Sequence, residues 1–126
     1  MILKRREDHK PFVAVDGSEV VEVIGLSTTG TSNVSLAYAT VKPNLKTLSH
    51  NHEFTEVYVV EEGEGLMHVN DESRYVRGGD HVLIPAKSWH HVENSGETSL
   101  TLICVCTPAF SKDRTEVKRN LTRRLG

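Results

Sequence analysis

The chain has 126 residues, which suits one domain of ordinary size. Its 15 Lys and Arg against 17 Asp and Glu give a formal net charge of -2, which argues against a nucleic-acid-binding face or a polybasic membrane surface. Two cysteines are too few for a disulfide framework, no apolar run approaches the roughly 20 residues that span a bilayer, and residues 1–10 lack an apolar signal-peptide core, so a cytoplasmic protein is expected. Seven histidines are the surplus to be explained.

The composition favours β structure: 16 Val, 11 Thr and 4 Ile stand against 5 Ala. β-Branched side chains are stiff at χ1 and suit a pleated surface better than a helix. Residues 1–11 form a charged N-terminal extension. The first predicted strand is Phe12 to Val15, and Asp16-Gly17 reads as a hairpin turn before a return strand, Val20 to Ile24. A Ser/Thr/Gly loop, Leu26 to Asn33, leads to a strand from Val34 to Val41 that ends at Pro43-Asn44. Further strands are expected at Thr55 to Val60, Leu66 to Val69, Arg74 to Val76, His81 to Ile84, His90 to Val92 and Ser99 to Val105. They are separated by turn signals at Gly63-Glu64-Gly65, Asn70-Asp71 and Gly78-Gly79-Asp80. Short strands at close spacing predict an all-β sandwich or barrel over residues 12–110. Residues 111–126 carry six basic and two acidic side chains, and read as a frayed or weakly helical solvated tail.

Four histidines fall in two short clusters. The first is His50-Asn51-His52-Glu53-Phe54-Thr55-Glu56, followed after six residues by Gly63. Side chains two apart in a strand share a face, so His50 and His52 present imidazoles together, roughly 7 Å apart at the backbone. Glu56 has the same parity, although a bulge between Glu53 and Thr55 would reset it. His90, from the second cluster, supplies a fourth ligand if a closed barrel brings its strand alongside. Three imidazoles and one carboxylate suit one divalent transition metal (Fe, Mn, Co, Ni, Cu or Zn) and not Ca or Mg. An ion so held keeps positive charge and attracts an anionic or enolate-like substrate at its open positions.

These blocks resemble the two signature motifs of the cupin superfamily, in its small conserved-barrel, cupin 2 type. His50, His52, Glu56 and Gly63 match the first motif; Gly79, Pro85, His90 and Asn94 match the second. Asn44 and Lys87 stand where the motifs usually have Gly; Asn tolerates a left-handed backbone, whereas Lys87 predicts an altered turn. The resemblance implies an all-β double-stranded β-helix, a jelly-roll barrel with one metal in its mouth, and a homodimer. It implies a metalloenzyme acting on a small organic substrate, for which dioxygenase-type oxidoreductase chemistry is the favoured expectation. A non-catalytic small-ligand or metal-binding module, or a sugar-isomerase-like or cyclase-like cupin, is the alternative.

The remaining histidines, His9, His68, His81 and His91, are expected on the surface or in a subunit contact, with His91 on the opposite face from His90. Cys104 and Cys106 share parity with Leu100 and Leu102 and are expected inside the barrel as free thiols, candidates for the substrate pocket. Tyr38 and Tyr58 are further pocket candidates, on strands expected to line the barrel. Trp89 is expected to face outward.

Overall fold

The computed structural model describes residues 1–119 and 122–125; the expectation for the tail at residues 120, 121 and 126 lies outside them. Among the described residues, twelve strands alternate with turns: β1 (Phe12–Val13), β2 (Glu19–Ile24), β3 (Ser35–Val41), β4 (Leu45–Lys46), β5 (His50–His52), β6 (Thr55–Glu62), β7 (Glu64–Val69), β8 (Glu72–Arg77), β9 (His81–Ile84), β10 (His90–Asn94), β11 (Leu100–Thr107) and β12 (Thr115–Val117). One sheet runs β1-β2-β3-β11-β6-β9 and the other β12-β5-β10-β7-β8, with β4 also on β10; the pairings are antiparallel. No helix among the described residues is long and apolar enough to cross a membrane.

Inward alternation builds the core at one end of the two sheets. Ala39 and Val41 of β3, Tyr58 and Val60 of β6, Leu100 and Leu102 of β11, Val92 of β10 and Met67 of β7 are buried in one cluster. Burial of each large aliphatic side chain there stabilises the fold by about 1.5–3 kcal/mol. Moving along the same strands toward the other end, the inward positions change character. They become Ser35 and Ala37 on β3, Glu56 on β6, Cys104 and Cys106 on β11 and His90 on β10, and these line a cavity or the cluster beside it.

Two motif residues close the core end. Gly63 has φ +86°, and a Cβ there would lie 2.6 Å from the Ser99 carbonyl oxygen, so only glycine fits. Asn94 is fully buried; its amide donates to the Val41 and Thr98 carbonyls at 2.9 Å, and its Oδ1 accepts from Gly96 N–H.

Three expectations are corrected. The first strand ends at Val13, and the β1–β2 connection is a five-residue loop closed by Ala14 N–H to Ser18 O and Gly17 N–H to Ala14 O, both 2.9 Å. The first part of the tail is held in a sheet. After a 3-10 turn at Lys112–Arg114, β12 pairs with β5 (Thr115 with His52, Val117 with His50). Sequence periodicity cannot reveal a three-residue strand whose partner is 63 residues away. Finally, the turn at Lys87 keeps the left-handed backbone that glycine would adopt: φ is +66° at Lys87 and +65° at Asn44.

Candidate metal centre

The first two histidines come from β5, whose pleat turns both inward. His50 and His52 are 3% and 4% exposed, with ring centroids 5.1 Å apart. The chain then leaves β5 at Glu53-Phe54, turns the corner between the sheets, and resumes inward alternation in β6 with Glu56. His90 arrives from β10, directly opposite His50 in the antiparallel register, with ring centroids 4.1 Å apart. His50, His52, Glu56 and His90 are all buried, and one ligand atom from each lies within 4.8 Å of the other three.

The outer ring nitrogens are each held by an acceptor. His50 Nδ1 donates to Leu48 O at 2.7 Å and His90 Nδ1 to Ser88 O at 2.9 Å. Thr115 Oγ1 donates to Ser111 O at 3.0 Å, which leaves it to accept from His52 Nδ1 at 2.7 Å. All three rings therefore turn an unprotonated Nε2 inward. Glu56 Oε1 lies 3.3 Å from His52 Nε2 and 3.2 Å from His90 Nε2. Glu56 Oε1 and His90 Nε2 are buried polar atoms without a hydrogen-bond partner. A buried carboxylate oxygen facing nitrogen lone pairs is costly unless a positive centre lies between them. The donor set fits a borderline divalent transition ion, as does the fixing of each distal nitrogen by an acceptor.

Electrostatics agree with that fit. Burial and the neighbouring His90 draw His50 down to about 4, against the opposing pull of Asp16, so its ring is a neutral ligand near pH 7.

Beside the four ligands is a cavity of about 70 Å³, room for a ligand of only a few non-hydrogen atoms. Val20, Ala37, Ala39, Val41 and Leu102 form its apolar wall. Of the pocket candidates, Tyr58, Cys104 and Cys106 reach the cavity. Tyr58 meets the His90 ring edge-on, at 5.8 Å between centroids. Cys106 Sγ donates to Glu56 Oε2 at 3.3 Å, and burial pushes both thiols up, so each is a neutral thiol. Tyr38 lies elsewhere: its ring is on the outer face, capped by the Arg6 guanidinium at 4.0 Å. On β3 the cavity-facing parity is that of Ser35, Ala37 and Ala39, so Tyr38 points away.

Two site residues escape sequence reasoning. Asp16, read as a turn residue, is 8% exposed, lines the cavity, and places Oδ2 3.7 Å from His50 Nε2. Thr115, in the segment read as solvated, holds His52. Nothing local in the sequence signals either; only the pairing of β12 with β5 and the folding-in of the β1–β2 loop bring them here.

The other histidines lie outside the cluster. His91 stacks on His68 with ring centroids 4.2 Å apart and planes 11° from parallel, on the outer face of β7 and β10. Their ligand atoms and a Glu93 oxygen lie within 4.8 Å of one another. However, both His68 nitrogens are engaged, by Glu93 at 2.7 Å and Ser73 at 2.8 Å, and near-parallel rings do not aim their lone pairs at one point. Lys118 Nζ lies over the Trp89 ring, 4.9 Å from its centroid, so β12's neighbourhood partly covers the tryptophan.

Comparison with known proteins agrees with this architecture. Residues 37–106 match the family model described as cupin domain. The uncharacterized protein MJ1618 of Methanocaldococcus jannaschii is 36% identical over 118 residues, covering 92% of this chain and 94% of that protein. The plu4264 protein of Photorhabdus luminescens superposes with a TM-score of 0.71 at 25% identity, covering 90% of this chain and 89% of its own. The oxalate decarboxylase of Bacillus subtilis at pH 4.6 superposes with a TM-score of 0.74 at 19% identity; the match covers 90% of this chain but 30% of the decarboxylase, so the chain spans less than a third of that enzyme. With both motifs on their expected strands and a relative matched along nearly its whole length, the chain belongs to the cupin family.

Proposed function

We propose that the protein is a metal-dependent enzyme of dioxygenase type acting on a small organic substrate. The observation that carries this reading is the convergence of three bare Nε2 atoms and Glu56 Oε1 beside a small cavity, which leaves ligand positions free on the cavity side. Bound there, Fe(II) would supply Lewis acidity and reaction with dioxygen. The chain's own residues hold and shield the centre. Leu48, Ser88 and Thr115 orient the imidazoles, and Cys106 holds the second oxygen of Glu56. Phe54, stacked on His52 at 4.5 Å, and Phe110 keep water from that side of the ring.

Anaerobic loading with Fe(II), followed by oxygen-uptake measurements with small diketones, enols and phenols, tests the proposal. Uptake that requires both iron and one of these compounds supports it. A fully iron-loaded protein that consumes no oxygen with any of them overturns it in favour of a binding module. The same reading places the protein in the cytoplasm, consistent with two free thiols, and as a homodimer, for which the exposed Tyr75 and Leu83 are available contacts; light scattering measures the latter.

A further inference from the structure

We propose that Asp16 is a substrate-binding carboxylate that makes this cavity select small hydroxyl-bearing ligands and disfavour dianions. The inference rests on the metal reading above and concerns what lies beside the ion. Asp16 is held by one oxygen: Oδ1 accepts from Ser18 N–H at 3.0 Å and from Ser18 Oγ at 2.7 Å. Oδ2 is thereby aimed at the cavity, and its nearest charged-type neighbour is His50 Nε2 at 3.7 Å. That nitrogen is no donor, because the His50 proton is committed to Leu48 O. Oδ2 therefore offers a fixed acceptor, a few ångströms from the ligand cluster, to whatever fills the space.

The charge around the cavity points the same way. Its lining contains Asp16, Glu22 and Glu56 and, among the described residues, no Lys or Arg. Glu22 is partly engaged, since its Oε1 accepts from Ser27 Oγ at 2.7 Å. A divalent ion is neutralised by Glu56 and Asp16 together, so a dianion meets no uncompensated positive charge. A neutral or singly charged molecule does not face that penalty. To satisfy Asp16 it needs a hydroxyl on the carbon adjacent to the one that bears its metal-directed oxygen, and the cavity volume limits it to a few heavy atoms. Small α-hydroxy acids, α-hydroxy carbonyl compounds and their enediol forms meet all three conditions.

Glycolate and oxalate form a matched probe pair, because they differ by exchanging a hydroxymethyl group for a second carboxylate. Titration calorimetry of each against the Zn(II)-loaded chain, with zinc content measured before and after, gives the oxalate-to-glycolate affinity ratio. Asp16→Asn keeps the oxygen that Ser18 holds and turns the other into a donor, so the ratio is expected to rise at least tenfold at unchanged zinc stoichiometry. Ser18→Ala, which frees the carboxylate without removing it, is expected to shift the ratio in the same direction by less, and serves if Asp16→Asn does not fold. An unchanged ratio in fully zinc-loaded variants overturns the role of Asp16 while leaving the metal centre intact. Failure of both acids to bind the zinc-loaded wild-type chain overturns the ligand class. Failure of the wild-type chain to retain zinc overturns the metal reading itself.

Discussion

Thr115 accepts a hydrogen bond from His52 at 2.7 Å across 63 positions of sequence, which makes strand β12 part of the candidate metal centre. The hydroxyl is itself anchored, donating to Ser111 O, and so fixes which nitrogen of His52 carries the proton. Outer partners of metal-bound histidines typically contribute about 10–100-fold in metal affinity. Thr115→Val, nearly isosteric but without an acceptor, is expected to weaken metal binding about tenfold in a chelator-competition titration. Thr115→Ser is expected to restore it. Equal loss in both variants would assign the effect to β12 packing and not to the hydrogen bond.

A metal bound only by the folded chain stabilises it. At a free concentration 100 times the dissociation constant the gain is about 2.7 kcal/mol, which raises the melting temperature of a domain of this size by roughly 10 °C. A rise of that size on adding Zn(II) or Fe(II), reversed by a chelator, is expected for the wild-type chain. It is expected to vanish in His50→Ala with His52→Ala, measured by calorimetry beside the metal content. An undiminished shift in that double variant would place the ion elsewhere, the His68, His91 and Glu93 group being the next location to examine.

Much of this centre was legible in the sequence, and the limit of legibility is physical. The two-residue period of a strand puts His50 and His52 on one face whatever the fold, so their pairing could be read directly. Glu56 shares that even parity, and burial keeps alternating through the corner at Glu53-Phe54, so the same period reaches it as well. His90 required knowing that β10 lies against β5. Asp16 and Thr115 were illegible because their roles depend on non-local pairing: the first is a turn residue by composition, the second a polar residue in a basic segment. Tyr38 shows the opposite failure, since a strand that borders the cavity still sends every second side chain outward.

Lowering the pH is expected to destabilise the metal-free protein. His50 is drawn down to about 4 by burial and His90, and His91 to about 4 by burial and His68, whereas both are near 6.5 in the unfolded chain. The unfolded state therefore binds protons that the folded state refuses, and stability falls as pH drops from about 6.5 toward 4. His50 alone contributes a loss on the order of 2 kcal/mol by pH 5; the half-exposed His91 adds less because water screens it. Denaturant midpoints measured from pH 7.5 to 4 check this. A flat profile between 6.5 and 5 would contradict the burial of a neutral His50.

The two thiols are expected to resist alkylation. Burial and the nearby Glu56 carboxylate push Cys104 and Cys106 upward, and the thiolate is the nucleophile. Iodoacetamide at pH 8 is expected to leave the folded chain unmodified over a period in which the denatured chain gains two labels by mass spectrometry. Rapid labelling of Cys106 in the folded chain would show that its hydrogen bond to Glu56 does not hold it.

Lys87 carries a cost that glycine would not. Its backbone sits at φ +66°, a conformation that costs an ordinary L-residue about 1–2 kcal/mol, while its N–H donates to His52 O at 2.6 Å and so requires the turn to keep that shape. Lys87→Gly relieves the strain but adds unfolded-chain entropy of about 0.5–1 kcal/mol, so a net stabilisation of roughly 0.5–1 kcal/mol is expected in denaturant unfolding. Asn44→Gly, at φ +65°, is the internal control: asparagine tolerates this region, so its gain is expected to be smaller. Because the Lys87 amide bonds the carbonyl of a metal ligand and not its ring, metal affinity is expected to change little in Lys87→Gly. A destabilised Lys87→Gly would mean that the lysine stem makes contacts outweighing the strain of its backbone.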